Sequence, residues 1–216
     1  MRKVTAQGEL SRVARWLSTK NYLAAADGNF SHRRDGARFW ITASGVNKGD
    51  RQPVPLAEVA FDGTVLSGEP SSETELHTAI FRHCPKARAV IHAHPPTLVA
   101  WSIARPDLSE LPCESFSEVI LALGSIPIVP FARPGGVKLA ESVTPYLPRF
   151  RAMVLGRHGA LAWGESLEEA LNGIERMEHA ALILATAERL GGAKPLSQSE
   201  IDWLKNRRRE LGEGTL

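Results

Sequence analysis

Cysteine is nearly absent from this chain, with two in 216 residues, and tyrosine (two) and methionine (three) are almost as scarce. Cys84 and Cys113 stand in no C-x-x-C arrangement, which excludes a disulfide scaffold and a cysteine-built zinc site. Long apolar runs are missing as well: no segment approaches the ~18 apolar residues of a membrane-spanning helix, so no membrane partner is expected. Charge of one sign is missing, since 26 Lys and Arg stand against 24 Asp and Glu, a net +2. So weak a field does not favour nucleic acid. Met1-Arg-Lys leads into a polar stretch rather than the apolar h-region of a secretory signal, and a cytoplasmic location is the expectation. No G-x-G-x-x-G opens a helix after a strand, which argues against a Rossmann domain. P-loop, internal repeat, low-complexity tract and linker are all lacking.

What is present suits one globular domain over residues 1–216: 43% apolar and 23% charged residues, with length enough for a substantial core. The one basic run, Lys205-Asn-Arg-Arg-Arg209, reads as a solvated helix end rather than a phosphate site.

Hydrophobic periodicity predicts a helix over 9–22, with Leu10, Val13, Ala14, Leu17 and Trp16 on its inner face. A hairpin follows, Phe30–Arg34 and Arg38–Thr42 about Asp35-Gly36, then short strands at 59–61 and 65–66 joined by Asp62-Gly63. Ser72-Glu-Thr-Glu75 has the form of a capping box, with Ser72 as N-cap and Glu75 at N3, opening a helix that ends before Pro85. A strand at 88–94, helices near 97–104, 118–123 and 137–147, and strands at 126–129, 152–155 and 161–163 complete the middle. Ser166-Leu-Glu-Glu169 is a second capping box, and its helix runs to about Leu190, stopped by Gly191-Gly192. Helices and mostly antiparallel strands mix here without a regular βαβ rhythm.

The chemistry centres on Arg88-Ala-Val-Ile-His-Ala-His-Pro95. Alternation along a strand places His92 and His94 on one face, opposite Ala89, Ile91 and Ala93. Two imidazoles facing together at a strand end are a surface accident or two-thirds of a metal site. His158, after another apolar strand and between glycines in Gly-Arg-His-Gly159, is the candidate third ligand. Three neutral imidazoles bind zinc and leave a fourth position open for chemistry. His77, at i,i+4 from Glu73, is a competing pair, whereas His32, His83 and His179 read as surface or packed residues. Glu73, in the first turn of its helix, either complements the helix dipole or serves as an acid–base group. Three small polar turns, Gly28-Asn29, Ser44-Gly45 and Ser71-Ser72, could wrap a phosphate with backbone N–H groups and hydroxyls if they converge.

Gly28-Asn-Phe-Ser31, Ile41-Thr-Ala-Ser-Gly45, Ser71-Ser-Glu-Thr74, Val90-Ile-His-Ala-His94 and Arg157-His-Gly159, in that order, resemble the successive motifs of the class II (zinc-dependent) aldolase/adducin family. Trp163-Gly-x-x-x-Glu-Glu169 and the helix through Glu178-His179 resemble its C-terminal part, so the likeness spans roughly residues 8–190. The resemblance implies a three-layer α/β/α sandwich around a mainly antiparallel sheet. It also implies a homotetramer with active sites where subunits meet. His92, His94 and His158 match the ligands of Zn²⁺, for which Mn²⁺ or Co²⁺ can stand in. Glu73 matches the carboxylate that moves the proton, and Asn29, Ser44, Gly45, Ser71 and Ser72 match the positions that hold the phosphate of a small phosphorylated sugar.

The first functional expectation is retro-aldol cleavage of a ketose phosphate, with Zn²⁺ as the Lewis acid that stabilises the enediolate and Glu73 shuttling the proton. The family's fuculose-1-phosphate aldolases also use tyrosines on the aldehyde side, one of them after the histidine strand. Cys113-Glu-Ser-Phe-Ser-Glu118, the comparable stretch here, offers none. Methylthioribulose-1-phosphate dehydratases take their acid–base glutamate from that segment, where Glu114 and Glu118 lie; both also read simply as solvated residues. Ser-Gly-Val-Asn-Lys-Gly49 resembles a turn of those dehydratases. Sugar-phosphate 4-epimerases and sugar-acid-phosphate decarboxylases share the general motifs. A non-catalytic, adducin-like binding module would be expected to have lost the metal ligands.

Overall fold

In a computed structural model that describes residues 5–50 and 52–212, eight strands form one sheet. The opening Met1-Arg-Lys lies outside the described residues. The strands are β1 (Asn29–Arg33), β2 (Arg38–Thr42), β3 (Leu56–Ala60), β4 (Val65–Ser67), β5 (Ala89–Ala93), β6 (Ile128–Val129), β7 (Ala152–Leu155) and β8 (Gly159–Gly164). Their order across the sheet is β4-β3-β2-β1-β5-β8-β7-β6. Every pairing is antiparallel except β6 with β7. The helices are α1 (Ala6–Thr19), α2 (Thr74–His83), α3 (Pro96–Ala104), α4 (Ser117–Leu123), α5 (Gly136–Val143), α6 (Leu167–Arg189) and α7 (Gln198–Leu211).

Period-two alternation divides the core between the two faces of the sheet. Ile91, Val154, Ala160 and Ala162 pack with Leu10 and Leu17 of α1, Leu98 of α3 and Ile174 and Met177 of α6. On the other face Val90, Met153, Leu161 and Trp163 meet Leu76 and Ile80 of α2 and Leu139 and Val143 of α5. The result is the expected three-layer α/β/α arrangement. β5 lies deep within it, and all five of its residues are buried. Helix α7 docks outside these layers, through Ile201 and Leu204 against Ile120 of α4; the sequence anticipated only its basic C-terminal end.

Four local expectations give way to identifiable competitors. Helix α1 begins earlier than expected because Thr5 Oγ1 caps Gly8 N–H, and it ends at Thr19, just before Asn21 adopts a left-handed φ of 59°, a helix-ending conformation. Trp16 turns outward, 44% exposed, with its indole N–H donating to Glu175 at 2.8 Å. Helix α5 stops at Val143 and continues as one 3-10 turn, Thr144–Tyr146, since Pro145 has no N–H to extend the α pattern. The capping box at Ser72 does not form. Helix α2 starts at Thr74 with Glu73 as its N-cap, and Ser71 takes the turning role, its Oγ accepting from Glu73 N–H at 3.3 Å and its carbonyl from Thr74 N–H at 3.1 Å. The Glu73 side chain is thereby released towards the sheet. The second box forms on its Ser166 side, where Oγ accepts from Glu169 N–H at 3.0 Å.

Candidate active site

The sheet brings the three predicted histidines together from two segments. His92 is on β5 and His94 just beyond its end, before Pro95 and α3. His158 comes from the tight connection between β7 and β8, where its N–H donates to Leu155 O at 3.0 Å and Arg157 takes a left-handed φ of 59°. Because β8 pairs directly with β5, with Leu161 opposite His92 and Ala160 opposite Ala93, that connection lies over the histidine strand end. The ring centroids are 4.7–5.2 Å apart, and ligand atoms of all three lie within 4.8 Å of one another. Gly159 makes this approach possible: a Cβ there would stand 2.6 Å from Ala93 O, 2.6 Å from His94 Cδ2 and 2.8 Å from His92 Cε1.

The hydrogen bonds fix how these rings present themselves. His92 Nδ1–H donates to Ala160 O at 2.9 Å, leaving a lone pair on Nε2. Asp27 Oδ2 lies 3.4 Å from His94 Nδ1 and favours the proton there, again leaving Nε2 as the acceptor. Yet the two Nε2 atoms stand 3.0 Å apart, and Glu73 Oε2 stands 3.2 Å from His92 Nε2 and Oε1 3.3 Å from His158 Nε2. Acceptors turned on acceptors are unfavourable unless a cation lies among them. Protons are poor candidates, for burial drives His92 well below its ordinary range, aided by His94 and His158. Burial also lowers His158, against the opposing pull of Glu73. The donor set therefore fits a divalent ion, and the Nδ1–carbonyl and Nδ1–carboxylate bonds are the kind that orient metal-binding imidazoles.

The same cavity, about 370 Å³, is lined by all nine residues singled out from the sequence. Glu73 is 6% exposed and accepts from Asn29 Nδ2 at 2.8 Å. Ser44 and Gly45 follow β2, where Ser44 N–H donates to Glu69 O at 3.0 Å and Ala43 bridges Pro70, bringing that turn beside Ser71 and Ser72. Asn29 is only partly available for a phosphate: its Oδ1 is committed to His77 and one N–H to Glu73, which leaves one N–H. His77 does not join the metal cluster. It is fully buried and turned from the histidines towards β1, so the Glu73–His77 pair is not a competing metal site.

Two lining residues escaped the sequence reading as site residues. Asp27 precedes the Gly28-Asn29 turn and orients His94. Lys48, from the Ser-Gly-Val-Asn-Lys-Gly49 turn, is 2% exposed, and its Nζ donates to Ala26 O at 2.6 Å and Val46 O at 3.2 Å. Burial lowers its pKa, opposed by Asp27 and Glu73. Glu114 and Glu118 lie elsewhere. Glu114 is exposed, 3.7 Å from Lys205, and Glu118 lines a separate cleft of about 550 Å³ with Tyr22, Phe116 and His179. Both cysteines are buried and unpaired, their thiols pushed up to about 12 by burial.

The sequence model of the Class II Aldolase and Adducin N-terminal domain matches residues 8–185. The chain belongs to this family. Among relatives of this family member, the 3-oxo-tetronate 4-phosphate decarboxylase of Escherichia coli K12 is 32% identical over 182 residues, covering 82% of this chain and 84% of that protein. Methylthioribulose-1-phosphate dehydratase of Methylococcus capsulatus is 32% identical over 185 residues, covering 81% of this chain and 90% of that protein. The crystal structure of YgbL from Escherichia coli aligns with a TM-score of 0.85 at 29% identity, over 92% of this chain and 97% of that one. The family resemblance and the α/β fold expected from the motifs are thus borne out. Enzymes of this family depend on a divalent metal, and this chain carries a histidine triad able to hold one. Among the described residues, no helix is long and apolar enough to cross a membrane.

Proposed function

We propose that this family member is a metal-dependent carbon–carbon lyase that decarboxylates a small phosphorylated 3-oxo sugar acid, in place of the retro-aldol cleavage first expected. The carrying observation is the composition of the cavity. Three imidazoles and two carboxylates, Glu73 and the His94-orienting Asp27, share it with three anion-suited turns and a buried cation, Lys48, while no tyrosine is among the described residues that line it. Tyr22 faces the cleft of Glu118 with its phenol raised to about 12 by burial, and Tyr146 lines another cavity with Arg157.

That absence matters because the two reactions differ in one proton. Retro-aldol cleavage requires a base on the far side of the breaking bond, to take the hydroxyl proton of the carbon that becomes the aldehyde. Decarboxylation of a 3-oxo acid requires none there: the carboxylate departs as CO₂ with the bond's electrons left behind. Those electrons flow towards the 3-oxo group, and a proton then closes the reaction at C2. For 3-oxo-tetronate 4-phosphate the products are CO₂ and dihydroxyacetone phosphate, with one proton consumed.

His92, His94 and His158 would hold the metal, supported by Asp27 and Ala160 O. Bound there, a divalent ion would act as a Lewis acid on the 3-oxo group; Zn²⁺ is the first choice for three neutral imidazoles, ahead of Mn²⁺ or Co²⁺. Ser44, Gly45, Ser71, Ser72 and the remaining N–H of Asn29 would receive the phosphate. Lys48 favours an acidic substrate, and Glu73 delivers the proton to C2. The dehydratase reading is less well supported, since neither Glu114 nor Glu118 reaches this cavity within the chain.

The test is turnover of the metal-loaded protein on a panel of 3-oxo-tetronate 4-phosphate, fuculose-1-phosphate, ribulose phosphates and methylthioribulose-1-phosphate. CO₂ with dihydroxyacetone phosphate is expected from the first, and Glu73→Gln should cut that rate by about 10²–10⁴-fold. Aldehyde release from a ketose phosphate, or dehydration of methylthioribulose-1-phosphate, with the sugar acid left untouched, would overturn the proposal.

A further inference from the structure

Behind Glu73 a chain of side-chain hydrogen bonds runs away from the cavity into the protein. Asn29 Nδ2 donates to Glu73 Oε2 at 2.8 Å, His77 Nε2 meets Asn29 Oδ1 at 2.6 Å, and Ser31 Oγ meets His77 Nδ1 at 2.6 Å. All four residues are buried, Ser31 and His77 completely. Asn29 and Ser31 share one face of β1, and Glu73 and His77 share one side of the start of α2, so a strand pair and a helix pair interlock.

Donor and acceptor chemistry gives this chain one direction, and the direction is imposed from its Glu73 end. A carboxylate only accepts, so the Asn29 amide must turn its NH₂ to Glu73 and its carbonyl to His77. That carbonyl only accepts, so His77 must carry its proton on Nε2. Nδ1 is then an acceptor, and the Ser31 hydroxyl, which can act either way, donates to it. We infer that His77 is a positioning residue for Glu73: its Nε2–H holds the Asn29 carbonyl away from the carboxylate, so that an N–H and not a lone pair meets Glu73. The inference rests on the reading of Glu73 as the group that moves the proton.

Glu73 needs such a device because it is the N-cap residue of α2 and forms no capping bond of its own. Its carboxylate orientation is therefore set by tertiary partners. With the other tautomer, the Nε2 lone pair would face Asn29, and the amide would turn its carbonyl on Glu73. Burial keeps His77 neutral, with its pKa lowered to about 3; it thus has one N–H to place. Oε2 is the anchored oxygen, and Oε1 is left without an amide donor to carry the mobile proton.

Two substitutions and two readouts test this. His77→Gln can return an N–H to about the Nε2 position, whereas His77→Leu keeps bulk without a donor. In [¹⁵N]histidine-labelled wild-type protein, two-bond ¹H–¹⁵N spectra should show His77 as the Nε2–H tautomer, with Asn29 side-chain amide protons protected from exchange in wild type and His77→Gln but not in His77→Leu. On the substrate that turns over, His77→Leu should lower kcat about 10–100-fold with KM and bound metal near wild type, and His77→Gln should recover most of the loss. An Nδ1–H tautomer, or Gln and Leu variants equally impaired in proportion to lost thermal stability, would overturn the inference. The spectra need no substrate, so a wild-type protein inert on the whole panel would sink the proposed reaction while leaving this assignment to be decided by the tautomer and the Asn29 amide.

Discussion

Gly159→Ala offers a sharp test of how the histidines are held. The added methyl would sit 2.6 Å from Ala93 O, 2.6 Å from His94 Cδ2 and 2.8 Å from His92 Cε1, where ordinary contact begins at 3.4 Å. Relief therefore requires about 0.6–0.8 Å of movement against each neighbour. None of them is the far end of a flexible chain: one is backbone of β5, and the others belong to rings pinned through Ala160 O and Asp27. Overpacking of this kind costs about 1–3 kcal/mol. Its effect on the metal should be larger than its effect on the fold, because ligand distances tolerate only about ±0.2 Å. Displacing two of three imidazoles by several times that amount should weaken metal binding at least ~100-fold. The assay is metal content after dialysis against a buffered chelator, with thermal unfolding of the metal-free protein alongside. Gly36→Ala is the control, as a Cβ there meets nothing within 4 Å. Wild-type metal affinity and an unchanged unfolding temperature in Gly159→Ala would refute the view that this backbone approach sets the triad.

Removing a ligand outright should separate metal from fold: His92→Ala or His94→Ala is expected to lose bound metal and turnover while far-ultraviolet circular dichroism stays native, and a variant retaining full metal content would undo the ligand assignment. Acid should destabilise the metal-free protein early. His77, His92 and His158 have depressed pKa values in the folded state, so below about 6.5 the unfolded chain binds more protons and stability falls as pH drops. For His77 that window extends to about 3, and each such histidine contributes a slope of up to ~1.4 kcal/mol per pH unit. Denaturant unfolding between pH 8 and 5 measures this, and a His77→Gln variant with an undiminished slope would contradict it. Glu178, whose carboxylate accepts from Thr97 N–H at 3.0 Å and Leu98 N–H at 2.8 Å, caps α3 immediately after the histidine strand. Glu178→Ala should cost about 1–3 kcal/mol, read as a lowered unfolding midpoint; no change would mean that the cap is dispensable.

How much of this was legible in the sequence varied with the range of the interaction. The hairpin of β1 and β2 announced itself through Asp35-Gly36, and β5 through its alternation, because turn chemistry and side-chain period are local properties. The Ser72 cap was misplaced for the complementary reason: a local rule favoured Ser72, but Glu73 has partners on β1, on β5 and in the β7–β8 turn that no local pattern contains. His77 shows the same limit. Spacing linked it correctly to Glu73 on one helical side, and only the sheet reveals that Asn29 stands between them as an intermediary. The meeting of His158 with His92 and His94 depends on β8 lying next to β5, a matter of strand order that spacing does not encode; the family motifs supplied it instead. Asp27 and Lys48 went unassigned as site residues because a lone acid before a glycine and a lysine in a polar turn look like ordinary surface.

The position of His92 explains why the site is so strongly marked. β5 is packed on both faces, and a branched aliphatic at position 92 would gain about 1.5–3 kcal/mol of apolar burial. Imidazole forgoes part of that and brings two polar atoms that must be satisfied. Ala160 O satisfies one of them; the other faces His94 Nε2 and Glu73 Oε2, two acceptors. A buried strand that gives up packing, and then turns a lone pair on lone pairs, contradicts itself as pure architecture. The contradiction disappears once a cation is placed among those atoms. The prediction that follows is directional: metal should stabilise the wild-type protein by RT ln(1 + [L]/Kd), about 2.7 kcal/mol at a hundredfold excess over Kd, read as a raised unfolding temperature. It should do nothing for His92→Val, in which the conflict has been removed with the ligand. If the valine variant gained as much from metal as the wild type, the ion would be bound elsewhere, and the burial of His92 would need another cause.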